Sequence, residues 1–94
     1  MIRVSGNRIE VSGPLMMATA GAVLAAGEQA LAAMKETETE FDLKAVEQMD
    51  SAGLAVIFGW VRTARAAGKS LHITHPPQNL LSLAAVYGVV EFLP

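Results

Sequence analysis

Few residues of this chain could take part in chemistry, and the most distinctive are Asp50 and Ser51. An extended segment, Thr39 to Leu43, leads through a short loop into this pair, and an apolar run follows. Asp and Ser are typical of helix starts, because their side-chain oxygens accept hydrogen bonds from the first free backbone N–H groups. The pattern predicts a hydroxyl at the positive end of a helix, where a phosphate would be tolerated. Equally, Ser51 or Asp50 could do no more than cap that helix.

The sequence contains no other residue pattern that is typical of catalysis, metal binding or phosphate binding. A nucleophilic serine at a strand–turn–helix elbow needs Gly two residues earlier, and Met49 holds that position. His72 and His75 are three apart at the end of a predicted strand, which places them on opposite faces and makes a poor metal pair. The chain has no Cys and no Gly-rich phosphate loop. We therefore expect a protein that is not an enzyme and uses no cofactor and no metal.

The composition points to one small domain with an apolar surface. The chain has 94 residues, of which 52% are hydrophobic and only 17% charged. A domain with so few charges should expose apolar surface, which favours a protein partner. The net charge of −2 gives no indication of nucleic-acid binding. The Ala- and Gly-rich stretch 14–34 is interrupted by Glu28, so we expect no direct membrane insertion.

The first strands predict their own register. Residues 2–11 read as a hairpin in which Gly6-Asn7 forms a two-residue turn. Pairing Ser5 with Arg8 then sets Val4 opposite Ile9 on one face and Arg3 opposite Glu10 on the other.

After the hairpin, helical and extended patterns alternate, which predicts parallel strands joined by right-handed crossovers. The last segment, 89–93, is expected to be extended. The predicted elements are a helix over 16–35, a strand over 41–43, a helix over 51–67, a strand over 70–74 and a helix from Pro77 to Tyr87.

Two faces of the central helix can be distinguished. At 100° per residue, the face expected to lie in the core comprises Leu54, Ile57, Val61, Ala64 and Gly68. The opposite face carries small residues where a solvated helix normally shows Lys, Glu and Gln. Another protein could approach it closely, or a helix of the same chain could cover it. As a partner interface we expect Asp50, Ser51, Ala52, Ala55, Val56, Gly59, Trp60 and Thr63.

The stretch from Phe41 to Val56, with its Asp-Ser-x-Gly-Leu helix start, resembles the signature of STAS domains, a family named after sulfate transporters and anti-sigma factor antagonists. The resemblance covers nearly the whole chain, 1–94, as one domain. The closing stretch 83–94 is similar to the small STAS subunits of Mla phospholipid-transport ABC systems. The resemblance to STAS domains implies an α/β STAS fold: a small mixed sheet led by a hairpin, with helices mainly on one face.

The resemblance also implies a function. In the Mla branch the domain is a non-enzymatic subunit that binds and regulates the ATPase, in the cytoplasm and peripheral to the inner membrane. In anti-sigma factor antagonists the matching hydroxyl, here Ser51, is phosphorylated by an anti-sigma factor kinase, and a second Ser often stands where this chain has Ala52. An uncommitted STAS interaction module is the third possibility.

Overall fold

A computed structural model of the chain describes residues 1–94, and every element predicted after the hairpin has a counterpart in it. The elements, in chain order, are β1 Ile2–Ser5, β2 Arg8–Ser12, α1 Ala20–Ala33, β3 Glu38–Ala45, α2 Ser51–Ala66, β4 Ser70–Thr74, α3 Gln78–Val86 and a 3₁₀ turn Val90–Phe92.

The hairpin has the predicted register. Ile2 pairs with Val11, Arg3 with Glu10, Val4 with Ile9 and Ser5 with Arg8. The Arg3 guanidinium donates two hydrogen bonds to Glu10 Oε1, at 3.0 and 2.7 Å. Gly6 turns the chain with φ of 62°, a conformation that Gly adopts without steric cost.

The four strands form one mixed sheet in the order β1-β2-β3-β4. β1 and β2 are antiparallel, whereas β2–β3 and β3–β4 are parallel pairs. The chain passes from β2 to β3 through α1 and from β3 to β4 through α2, and both connections move by one strand towards the same edge of the sheet. Right-handed crossovers in one direction place their helices on one face. The expected mixed α/β sheet with helices mainly on one face is therefore confirmed.

The core lies between the sheet and these helices. Alternate strand residues such as Ile9, Val11, Phe41 and Leu43 are buried, as a sheet with one covered face requires. Trp60 of α2 is fully buried and stacks against Phe41 with ring centroids 4.4 Å apart. Such contacts add to the stability that burial provides.

The uncovered face of the sheet is charged. Arg8 on β2 binds the Asp42 carboxylate on β3, and Lys44 N and His75 Nδ1 lie 2.9 and 3.0 Å from the other carboxylate oxygen. Burial alone would raise the pKa of Asp42, but these hydrogen bonds, Arg8 first, lower it to about 2. This cluster ties β2, β3 and the end of β4 together.

Several details differ from prediction, and β3 is longer, at Glu38–Ala45 rather than 41–43. α1 begins at Ala20 rather than Met16, because residues 16–19 form a turn in which the Thr19 hydroxyl donates to Pro14 O and accepts from Met16 N. The last segment is a 3₁₀ turn rather than extended. None of the helices is long and apolar enough to cross a membrane.

Candidate functional site

Asp50 organises the amino-terminal end of α2. Its backbone is extended, and its Oδ1 accepts a hydrogen bond from Ala52 N at 2.8 Å, which makes it the helix cap. Its Oδ2 accepts a second bond, from Met17 N at 3.1 Å. One carboxylate thus caps the helix and holds the loop that follows β2. The capping alternative is correct for Asp50, and Ser51 is left free of that task.

The two loops at this end are also joined through their backbones. Leu15 N donates to Gln48 O at 2.9 Å, and Asp50 N donates to Leu15 O at 3.2 Å. Gly53 lies against the same segment, and a Cβ there would be 2.5 Å from Leu15 O. Contacts of that length do not occur, so Gly in the Asp-Ser-x-Gly-Leu start is required by packing. The helix start that carries Ser51 is therefore held by the hydrogen bonds of Asp50 and by the packing of Gly53 against Leu15.

Ser51 is exposed, and its neighbours Ala52, Ala55 and Met17 are uncharged. Ala55 lies one turn further along the same side of α2 and is also exposed. Met17, whose backbone Asp50 holds, leaves 80% of its surface accessible. We name Met17, Asp50, Ser51, Ala52 and Ala55 the Ser51 surface. The local sequence did not indicate Met17, because its contact with Asp50 spans 33 residues.

The rest of the predicted interface is not open. Val56 and Trp60 are 2% and 0% exposed, and Gly59 is buried as well. α1 covers Gly59 and Trp60: Trp60 Nε1 donates to Leu24 O at 3.2 Å, and a Cβ on Gly59 would be 2.7 Å from Leu24 Cδ1. The expectation that this face is free for a partner is wrong at Val56, Gly59 and Trp60, which are buried within the chain itself.

Close approach of α1 explains why this face is built from small residues. A Cβ on Gly27 of α1 would overlap the Trp60 indole. The missing side chain at Gly27 therefore lets α1 lie close to Trp60 of α2. Thr63 is half-buried at the same contact and donates to Glu28 Oε2 at 2.7 Å, while Ala52 is half-buried at the other end.

The histidines have separate surroundings. His72 is exposed on β4, and His75 lies beyond the strand against Asp42. No group of three or more His, Cys, Asp or Glu side chains is close enough to hold a metal ion. The Ser51 surface is therefore the candidate functional site. Its residues could contact a partner protein, and the Ser51 hydroxyl could be modified.

Comparison with known families gives a match over almost the entire chain. A family model described as "Mlab, STAS domain" matches residues 2–94. A similar protein is the "intermembrane phospholipid transport system binding protein MlaB" of Haemophilus influenzae, which is 28% identical over 60 residues. That alignment covers 64% of this chain and 57% of the relative. The match therefore spans little more than half of the relative's length.

Solved structures share the fold. The anti-sigma factor antagonist SpoIIAA in its unphosphorylated form has a TM-score of 0.67 and 18% identity, over 100% of this chain and 83% of that one. A putative anti-sigma factor antagonist from Thermotoga maritima has a TM-score of 0.75 and 14% identity, over 99% and 81%. Identities this low bear on the fold alone, and the predicted antagonist-like fold is confirmed.

Proposed function

This chain belongs to the STAS domain family, and from that premise we propose that it is a non-enzymatic subunit that binds and regulates the ATPase of an Mla-type phospholipid-transport ABC system. The observation that carries the proposal is the Ser51 surface: a patch with exposed Met17, Ser51 and Ala55, whose backbone Asp50 holds by accepting hydrogen bonds from Ala52 N and Met17 N. The similarity to a phospholipid-transport binding protein supports the choice of system. The protein would act in the cytoplasm, at the inner membrane through its partner.

The composition of the Ser51 surface suits a protein contact. Ala52 and Ala55 let a partner's backbone or helix approach closely, and the exposed Met17 side chain adapts to irregular apolar surfaces. The Ser51 hydroxyl can both donate and accept a hydrogen bond. Asp50 accepts hydrogen bonds from Ala52 N and Met17 N, one on each carboxylate oxygen, and so holds these two residues in place.

The experiment is a calorimetric titration of the purified domain with the ATPase subunit of an Mla-type system from the same organism. Ser51→Ala should weaken binding by about 1 kcal/mol, since one hydrogen bond is lost. Ser51→Glu should weaken it further, because it adds size and charge at the centre of the contact. Circular dichroism should show both variants folded. Equal affinity for the wild-type domain and Ser51→Glu would rule out the Ser51 surface as the interface.

A second function, anti-sigma factor antagonist regulated by phosphorylation of Ser51, is favoured by the accessibility of that hydroxyl. Ser51 is exposed in the first turn of α2, where the helix dipole stabilises an anion. A phosphate there would therefore not disturb the fold, while its charge would change partner binding. Incubation with an anti-sigma factor kinase and ATP, followed by mass spectrometry, tests this. Phosphate on wild type and none on Ser51→Ala is the expected result for this alternative.

A further inference from the structure

The carboxyl-terminal half of α2 borders a groove that the proposed function does not use. The groove has a volume of about 720 Å³ and lies between α2, the start of β4 and the segment after α3. Volumes of about 300–1,000 Å³ are usual for ligand sites. Its apolar walls are formed by Phe58, Val61, Leu71, Val89, Phe92 and Leu93.

Cations line the same groove. Arg62 and Arg65 are one turn apart on α2, both are exposed, and neither takes part in any ion pair of the structure. Lys69 is held at its end, because its ammonium donates to Met34 O and Glu36 O, each at 2.7 Å. Glu91 is the one acidic residue in the lining. Three cationic side chains and one acidic side chain therefore line the groove, in a chain whose net charge is −2.

From this combination we infer that the groove binds an amphiphilic anion: a carboxylate or phosphate group attached to an apolar chain. The head group would pair with Arg62 and Arg65, whose guanidinium groups bind carboxylate and phosphate oxygens in a fork geometry. The apolar part would lie against Phe58 and Phe92, removing part of the exposed surface of Phe92 from water.

Other occupants match the groove less well. A flat membrane surface does not fill a concave groove. A second copy of this chain, docked about a two-fold axis, would bring the arginines of both copies together. An amphiphilic anion satisfies the charge and the apolar walls at once. The inference does not depend on the proposed function, since Ser51 lies about 16 Å along the helix from Arg62 by the rise per residue.

The test is an NMR titration of the ¹⁵N-labelled domain with dodecyl phosphate below its critical micelle concentration, with affinities from calorimetry. Amide shifts should cluster at residues 58–71 and 89–93. Dodecanoate should bind at the same place. Inorganic phosphate and the uncharged dodecyl maltoside should each bind at least about tenfold more weakly. The first lacks the apolar chain, and the second lacks the anionic head group.

The decisive variant is Arg62→Ala/Arg65→Ala, and a matched control is Lys35→Ala/Lys44→Ala, which removes two exposed cations elsewhere. The arginine variant should lose about tenfold or more in affinity for dodecyl phosphate, while the control stays within about twofold. Phe92→Ala should weaken both dodecyl ligands. Shifts spread over the whole domain, equal affinity for dodecyl maltoside, or unchanged binding by the arginine variant would each overturn the inference. So would groove shifts that follow protein concentration instead of ligand, since these indicate self-association.

Discussion

Asp50 and Ser51 are neighbours in the chain with separate roles. Asp50 is turned into the structure, where it caps α2 and holds the loop at Met17, whereas Ser51 is turned out. The sequence predicted a cap at this pair but left open which residue supplied it. That ambiguity is physical, because Asp and Ser cap helices about equally well and only the backbone conformation decides between them.

At this scale we predict that Asp50→Ala lowers the free energy of unfolding by about 1–2 kcal/mol, the usual effect of losing a helix cap. Ser51→Ala should change it by less than about 0.5 kcal/mol, as expected of an exposed residue. Urea denaturation of both variants measures this. A larger loss for Ser51→Ala than for Asp50→Ala would mean that the cap has been assigned to the wrong residue.

Asp42 provides a pH-dependent contribution to stability. Its pKa in the folded protein is about 2, below the ordinary value of 3.8, so the folded state favours the ionised form. The stabilisation is complete above about pH 4 and is lost as the pH falls towards 2. Because Arg8 is partly exposed, solvent screening keeps the contribution at about 1–2 kcal/mol.

Asp42→Asn should therefore be less stable than wild type by this amount at pH 7, and the difference should shrink between pH 4 and pH 2. Denaturant unfolding of both proteins across that range is the measurement. A stability difference that stays constant down to pH 2 would show that the charge of Asp42 contributes nothing and that the loss comes only from the acceptor oxygen that Asn lacks.

At the scale of elements, the contact between α1 and α2 determines which parts of α2 are accessible. Trp60 packs on Phe41 below and on Gly27 beside it, and it donates a hydrogen bond to Leu24 O. The spacing of small residues correctly indicated that something approaches α2 closely. It could not distinguish a partner from α1, because helical periodicity describes one helix and contains no information about what covers it.

We predict that Gly27→Ala lowers the free energy of unfolding by about 1–3 kcal/mol, since the added methyl group overlaps the Trp60 indole. Gly21→Ala is a matched control in the same helix, because a Cβ at Gly21 meets nothing within 4 Å. Because Gly21 lies in the first turn of α1, that change should alter the free energy of unfolding by less than about 0.5 kcal/mol. Equal effects of the two substitutions would contradict the packing described for α1.

For the whole molecule, local patterns predicted the elements and the topology well. The hairpin register followed from side-chain alternation and the Gly6-Asn7 turn, and strand–helix alternation predicted the parallel part of the sheet. Contacts between distant segments were not predictable in this way. The pairing of Asp50 with Met17 and the groove between α2 and the chain after α3 both depend on packing that no local period encodes.

The central claim is that a partner ATPase docks on the Ser51 surface, and one pair of variants tests it most directly. Ala55 and Ala66 are both exposed on the same side of α2, about three turns apart, so Ala55→Arg and Ala66→Arg add the same group to the same helix. Neither touches the core, and both variants should unfold like wild type. In calorimetric titrations against the Mla-type ATPase subunit, Ala55→Arg should abolish binding, because a buried unpaired charge costs several kcal/mol. Ala66→Arg should bind as wild type does. Wild-type affinity for Ala55→Arg would contradict the account.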